Sequence, residues 1–354
     1  MAMITHGLSG GVGKVILNYV KYLPKKYYEI DILTMHIESE ELFNLFTDNN
    51  LRVIKIPSKK ESLFGNMGTM YSVFKKKGYD IVHSHLTLTN CFPLFIAMIA
   101  GIKVRISHSH LAGRSSLKSK ILSRLTVLFS TERVSCGNKA GKFLYGDKSF
   151  YVLKNAVDFD LFKFNNSVRF VERNALKITS EDIVFGSVAR FSKQKNHKFI
   201  IEIFAKIHEK NKNTKLLLIG NGELIQNIKK QVASLNLSDC VLFLGAINDV
   251  NRKLLAIDVL LVPSLFEGLS LSVIEAQAVG IKCLLSDTID KECAITDNVF
   301  FLNLGDSVEI WSKKAMDIAR KNAGFYKKSL RKAGYDLKVE SQKLDILYKS
   351  LLEL

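Results

Sequence analysis

The chain has 354 residues, with 51 Lys and Arg against 34 Asp and Glu, which leaves a formal charge of 51 − 34 = +17. At about 100–200 residues per domain this length predicts two domains, and 47% hydrophobic with 24% charged residues exclude disorder as the main state. The longest nearly uninterrupted apolar run, Cys91 to Ile102, is 12 residues with a proline inside it, against about 20 for a bilayer span, and the first residues carry neither the basic start nor the apolar stretch of a secretory leader. The reading is a soluble, intracellular, basic protein whose charge suits nucleic acid, an anionic membrane surface or a phosphorylated substrate.

Short β-rich apolar runs alternate with amphipathic helical stretches. Residues 2–6 read as a strand, followed by the glycine-rich Gly7 to Lys14 and a helix through Val15 to Leu23. Further strands read at 28–35, 51–57, 79–85, 103–110, 132–138 and 150–157. Residues Asp158 to Asp182 are polar and irregular, which sets a domain boundary near Phe164 to Glu172. The rhythm resumes with strands at 182–190, 214–222, 240–246, 258–264 and 281–287, separated by helical stretches at 197–210, 223–237, 251–257 and 272–280, and the chain ends in a helix from about Tyr335. Strand, helix, strand in this order predicts parallel sheets with right-handed crossovers. No repeat and no low-complexity tract is visible.

Cys91, Cys136, Cys240, Cys283 and Cys293 are scattered, without a C-x-x-C spacing, and read as reduced, buried thiols. In open α/β sheets ligands bind beyond the carboxyl ends of the strands, so the residues that follow each strand are the ones to weigh. Gly7-Leu-Ser-Gly10-Gly11-Val-Gly13-Lys14 fails the Walker pattern, because the earlier glycine would fall at Leu8 and Val15 replaces the Ser or Thr that holds magnesium. It also fails G-x-G-x-x-G, which would need glycine at Ile16. Two readings stay open: a backbone that approaches an anion closely, or a tight strand-to-helix turn.

Glu267 and Glu275 lie eight positions apart, the first in a loop after the strand at 258–264, the second in the first turn of the next helix. A loop carboxylate there can accept hydrogen bonds from ligand hydroxyls, while the helix start holds a pyrophosphate. The plain alternative for Glu275 is a capping box with Ser272, and for Glu267 a solvated loop. Arg190 and Lys195 follow the first strand of the second half. A forked guanidinium and a point ammonium neutralise a diphosphate; the alternative is a solvated basic loop. Gly220 and Gly222 form a further close-approach loop.

Together these motifs resemble the retaining glycosyltransferases of family 4, which have the GT-B fold. The similarity runs over nearly the whole chain: LSGGVGK at 8–14, LKNAVDFDLF at 153–162, VARFSKQKN at 188–196, LLLIGNGE at 216–223, and DVLLVPSLFEGLSLSVIEAQAVG at 258–280 with the Glu267-x7-Glu275 spacing. It is greatest toward the branch that builds bacterial capsular or exopolysaccharide repeat units. Ala156 stands where the family usually has glycine, a departure confined to one turn.

The resemblance implies two Rossmann-like parallel-sheet domains facing each other across a cleft: residues 1–168 on the acceptor and membrane side, 169–334 on the nucleotide-sugar side, and a helix at 335–354 crossing back to the first. It implies a hexosyltransferase that takes a sugar from a nucleotide diphosphate, by our reading a UDP-sugar, to a lipid-linked saccharide acceptor. Arg190, Lys195, Gly10 and Gly11 would bind the donor diphosphate. Glu267, Gly268, Leu269 and Ser270 would bind the donor sugar, and Glu275 the ribose. His110, after the strand at 103–110, matches the family's active-site histidine, and Glu267 joins it at the reaction centre; His108 remains the alternative to His110. No metal and no further cofactor is implied, and no D-x-D string offers a metal site outside the linker, where Asp158 and Asp160 lie.

Arg114 to Leu125 reads as a basic amphipathic helix, with Leu117, Ile121, Leu122 and Leu125 apolar and Arg114, Lys118, Lys120 and Arg124 basic. It suits either an anionic membrane surface or packing on its own domain. The expected place of action is the inner face of the cell membrane, as a peripheral protein. Nucleic acid has no supporting motif. Two competing readings are a GT-B sugar-nucleotide epimerase and a non-catalytic partner of another transferase.

Overall fold

The computed structural model describes residues 1–8, 10–38, 40–111, 116–267, 269–320 and 324–353. The chain forms two compact units, Met1–Ala156 with Asp336–Leu354, and Val157–Tyr335. The first holds a parallel sheet of strands β1 (Ala2–Gly7), β2 (Asp31–His36), β3 (Arg52–Lys55), β4 (Ile81–Ser84), β5 (Val104–Ser109), β6 (Glu132–Ser135) and β7 (Tyr151–Val152), in the order β3-β2-β1-β4-β5-β6-β7. The second holds β8 (Ile183–Val188), β9 (Thr214–Ile219), β10 (Val241–Gly245), β11 (Val259–Val262), β12 (Lys282–Ser286) and β13 (Val299–Leu302), in the order β10-β9-β8-β11-β12-β13, again parallel. In each sheet the strand order reverses once, between β1 and β4 and between β8 and β11. Such a reversal opens a crevice at the strands' carboxyl ends.

Helices cover both faces, so the central strands of the second sheet carry continuous apolar runs rather than alternating ones, as at Leu216–Ile219, Val259–Val262 and Cys283–Leu285. β11 and β12 are buried throughout. On one face of the second sheet Val184, Leu217, Leu260 and Ile274 pack together; on the other, Phe185, Phe204, Leu218 and Trp311 do. In the first unit Ile4, Leu33, Phe74, Val82 and Leu94 form a core. All five cysteines are free and buried.

The C-terminal helix Leu337–Leu352 belongs to the first unit. Glu340 accepts the Lys154 backbone N–H at 3.0 Å, and Asp345 accepts the Tyr28 hydroxyl at 2.7 Å. The chain leaves and re-enters the second unit at one place, where Val157 N–H donates to Tyr335 carbonyl at 3.0 Å.

Three local features depart from the sequence reading. The expected boundary at 168/169 falls inside the helix Asn166–Ala175, which is part of the second unit. Its buried face is charged: Glu172 pairs with Arg252 and Lys253, and Arg169 and Arg173 bond to Asp258. An apolar period is therefore missing from a segment that is helical and packed. The strand read at 150–157 is only Tyr151–Val152, and β13 is an edge strand that had no counterpart in the pattern.

Gly220 (φ +138°) and Gly222 have a packing reason. A Cβ on Gly220 would stand 2.0 Å from the Ala189 carbonyl oxygen, and one on Gly222 2.6 Å from that of Phe191. The close approach is thus to the chain's own backbone.

His197 opens the helix His197–Lys210, buried, with its ring stacked on Phe191 at 4.1 Å and neither ring nitrogen hydrogen-bonded. Burial, with the Lys195 ammonium adding to it, pushes this imidazole down to about 4. A lowered folded-state value means that the unfolded chain binds the proton more readily, so the stabilisation is full above the unfolded value of about 6.5 and fades as pH falls. Between pH 7 and pH 5 this one group removes about 2 kcal/mol. His197→Phe keeps the stack and should abolish that share, read as a smaller shift of the urea midpoint of Trp311 fluorescence between the two pH values.

Candidate active site

Each sheet delivers functional groups beside its crevice. In the second unit the chain leaves β8 through Arg190, makes a tight turn at Lys193–Lys195, and enters the next helix through Asn196, whose φ of +54° asparagine tolerates. The loop after β11 runs alongside. Leu265 N–H donates to Gln194 carbonyl at 2.8 Å, Gln194 Nε2 to Phe266 carbonyl at 2.8 Å, and Asn196 Nδ2 to Pro263 carbonyl at 3.2 Å. These bonds sew the two loops together across the β8/β11 reversal.

The stitched loops bring Lys195 Nζ onto Glu267 Oε1, while Ser264 Oγ donates to Glu267 Oε2 at 3.0 Å. The two charged side chains are only 20% and 10% exposed. Ser264 is itself anchored, its carbonyl accepting from the Ser286 and Thr288 hydroxyls at 2.6 and 2.7 Å. The site thus holds an oriented carboxylate and an ammonium at one strand edge. Removing one partner of so enclosed a pair leaves a charge without its counter-charge.

The remaining donor-side candidates are arranged differently. Arg190 is exposed and pairs with Glu223 at 3.2 Å, an ion pair worth about 0–1 kcal/mol and readily exchanged. Leu269 is half-buried and Ser270 buried at the start of the helix Leu271–Ala278, whose first N–H groups receive no hydrogen bond from the Ser270 side chain. Glu275 is buried on that helix beyond its first turn, rather than in it. The capping box read at Ser272 and Glu275 is not formed, because the N-cap is Ser270, two residues earlier, and Ser272 already lies inside the helix. Gly268 lies outside the described residues.

In the first unit Gly10 and Gly11 open the helix Gly10–Tyr22, directly after β1. A Cβ on Gly11 would meet nothing within 4 Å, so packing does not require glycine there. Gly13 is different: a Cβ would stand 2.0 Å from the Leu8 carbonyl oxygen. On the other side of the β1/β4 reversal, His85 follows β4 and His110 follows β5, and His85 Nδ1 is 2.9 Å from His110 Nε2. The His110 backbone N–H donates to Thr87 Oγ1 at 3.2 Å, and Thr87 holds a φ of +50°, strained for a β-branched residue. Asn90 locks the arrangement: Oδ1 accepts from Ser84 Oγ and Leu86 N–H, both at 2.7 Å, and Nδ2 donates to Ser107 Oγ at 2.8 Å and His108 carbonyl at 3.1 Å.

His108 stacks on His110 at 4.0 Å between centroids, and behind them stand His83 and His85. Burial pushes His110 down to about 4, with the Asn155 side chain offsetting part of it. Burial and then His110 push His83 down to about 3, and burial with neighbouring imidazoles holds His85 and His108 well below the usual range. All four rings are neutral at pH 7. His110 stands at the strand end, half-buried, whereas His108 lies fully buried within β5. The sequence reading missed His85, Thr87, Asn90 and Asn155; the two His-x-His spacings at strand ends were its only available signal. Cavities of about 690 and 810 Å³ open elsewhere, lined by Asp31 and Arg52 in one case and Asp182 and Asp258 in the other, at the strands' amino-terminal ends.

Two family models match the chain. The Glycosyltransferase Family 4 model matches residues 9–140, and the glycosyl transferases group 1 model residues 168–314. The chain is 30% identical to the putative glycosyltransferase EpsF of Bacillus subtilis, over 94% of this chain and 92% of that one. It is 28% identical to the UDP-Gal:alpha-D-GlcNAc-diphosphoundecaprenol alpha-1,3-galactosyltransferase of Escherichia coli, over 89% and 88%. In fold it is similar to Anabaena HepE, crystallised in complex with UDP-glucose, with a TM-score of 0.79 at 17% identity over 99% of both chains. A glycosyltransferase of family 4, with the GT-B fold, is therefore what this chain is.

Proposed function

We propose that the protein is a retaining hexosyltransferase that moves a sugar from a nucleoside-diphosphate donor, a UDP-sugar, to a hydroxyl of a lipid-linked saccharide in bacterial surface-polysaccharide synthesis. The observation that carries this reading is the Lys195–Glu267 pair across the β8/β11 reversal. Support for the donor and acceptor classes comes from the substrate that names the Escherichia coli relative and the UDP-glucose held by HepE.

As the bond to the anomeric carbon breaks, the leaving diphosphate gains charge. The Lys195 ammonium transfers from Glu267 to the phosphate oxygens, Arg190 leaves its exposed pairing with Glu223 to fork them, and the uncapped N–H groups at Leu271 add their dipole. Groups fixed in advance on developing charge lower the barrier rather than only binding substrate. The Glu267 carboxylate, freed on one oxygen and still held by Ser264 on the other, accepts hydroxyls of the donor sugar. Leu269 and Ser270 border that sugar, and Glu275 holds the ribose. With Glu267 engaged in holding hydroxyls, no carboxylate is assigned to attack the anomeric carbon as in a double displacement. The acceptor hydroxyl attacks from the face the diphosphate leaves and passes its proton to the departing phosphate oxygen, so the nucleoside diphosphate is released and the anomeric configuration is retained. The diphosphate's charge is met by protein cations, so the reaction needs no metal at that position.

The first unit presents the acceptor. Gly10 and Gly11 leave their backbone open to an anion, and neutral His110, its Nε2 held by His85, keeps Nδ1 for a sugar hydroxyl. The helix Leu117–Phe129 fits an anionic membrane: Leu117 and Ile121 are 78% and 50% exposed, one turn apart, with Lys118, Lys120 and Arg124 also exposed. Leu122 and Leu125 are only half-exposed, and Arg114 lies outside the described residues. Among the described residues no helix is long and apolar enough to cross a membrane.

A panel of nucleotide sugars assayed with lipid-linked saccharide, reading nucleotide release and anomeric configuration, tests the proposal. Lys195→Ala and Glu267→Ala should each lower kcat by about 10²–10³-fold. Unchanged rates would overturn the assigned roles, and turnover of free sugar nucleotide without acceptor would favour the epimerase reading. For the membrane, the double substitution Leu117→Glu and Ile121→Glu should weaken binding to vesicles containing phosphatidylglycerol at least about tenfold, and equal binding would remove this helix from the contact.

A further inference from the structure

His83 and His85 stand two apart at the end of β4, which places both rings on one face of the sheet. β5 is the neighbouring strand, paired in parallel so that Ser84 lies beside Ser107, and His108 follows on it. One nitrogen from each of the three rings lies within 4.8 Å of the other two. The ring centroids are 4.2 Å apart for His83 and His85, 5.0 Å for His85 and His108, and 5.3 Å for His83 and His108. His83 and His108 are fully buried and His85 is 5% exposed.

Four of the six ring nitrogens in this triad are buried without a hydrogen-bond partner: His83 Nε2, His85 Nε2 and both of His108. The other two point outward to protein partners, His83 Nδ1 to Tyr348 Oη at 2.7 Å and His85 Nδ1 to His110 Nε2 at 2.9 Å. When each Nδ1–H donates to its partner, both Nε2 atoms carry a lone pair and no proton. That is the tautomer in which a histidine binds a metal, with its other nitrogen held by a second group. Buried imidazoles stacked with their planes 10–37° apart, with four ring nitrogens unmet, form a clustered donor set that small ring rotations can turn toward one ion.

We propose that His83, His85 and His108 bind one divalent transition-metal ion of the zinc class. Imidazole nitrogen suits zinc, cobalt, nickel or copper, whereas magnesium and calcium take oxygen. Three protein nitrogens leave a fourth position for water or an anion. With metal–nitrogen distances of about 2.1 Å, a tetrahedral site draws the nitrogens to about 3.4 Å from one another, a movement of side-chain rotation. The ion joins β4 to β5, and through Tyr348 it fastens the C-terminal helix to the same place. The site belongs to the first unit alone and does not depend on the proposed donor chemistry. It goes against the expectation of a chain without metal, because the ligands come from two strands 20-odd residues apart rather than from one compact motif.

Untagged full-length protein, incubated with Zn²⁺ and dialysed into zinc-free buffer, should retain about one zinc per chain, and its melting temperature should rise with Zn²⁺. Co²⁺ in place of zinc should give the visible absorption of a four-coordinate site with three nitrogen ligands. His83→Gln and His108→Gln should each lose affinity at least about tenfold and abolish the cobalt spectrum. His36→Gln removes the exposed imidazole that lies 4.8 Å from the His6 ring, another place where surface zinc could collect, and should keep both signals. Wild-type protein that retains no zinc and shows no melting shift would overturn the proposal and leave water as the partner of the unmet nitrogens. Loss of zinc in His36→Gln alone would also overturn it, as an adventitious surface ion only. If a triad variant fails to fold, the wild-type stoichiometry and cobalt spectrum still decide.

Discussion

Parallel strand direction is the constraint from which the rest follows. Because every described strand pairing is parallel, each sheet presents all its carboxyl ends along one edge. Residues far apart in sequence arrive there together: Lys195 and Glu267 in the second unit, His85 and His110 in the first. The reversal of strand order leaves room at that edge, and local bonds fill in the aim. Gln194 and Asn196 stitch one pair of loops, and Asn90 and Thr87 stitch the other.

The two edges differ in electrostatics. The second unit keeps opposite charges close and partly screened from water, an arrangement that an incoming anion can rearrange by offering the ammonium a new partner. The first unit instead buries uncharged imidazoles. An unmet buried nitrogen costs about 1–3 kcal/mol, so a stack of four such rings is expensive to maintain unless it has a use. The basic excess of +17 divides along the same line. In the proposed function Lys195 and Arg190 meet a diphosphate, while Lys118, Lys120 and Arg124 lie exposed beside apolar Leu117 and Ile121.

How legible these features were depended on how local their cause is. Strands β8, β9, β11 and β12 were readable because burial on both faces gives each a continuous rather than alternating apolar run. Glu267 and Lys195 could be singled out because each directly follows such a strand, though nothing in the spacing showed that they pair. The helix Asn166–Ala175 was not readable, since what it buries is Glu172 and Arg173, and ion pairs leave no apolar period. The capping box at Ser272 failed for a similar reason: the motif was present, but the helix begins at Leu271. The histidine triad needs knowledge of which strands are neighbours. His-Ser-His occurs twice in the sequence, yet only the β4/β5 pairing turns two repeats into one cluster.

The central claim is that protein cations of the second unit, Lys195 first, hold the diphosphate of a nucleotide donor. Calorimetric titration of UDP into the protein in chelator-containing buffer tests it most directly. The account predicts binding by the wild type without any divalent cation and at least about tenfold weaker binding by Lys195→Ala. Binding that appears only when magnesium or manganese is added, or that is equal in the two proteins, would contradict it.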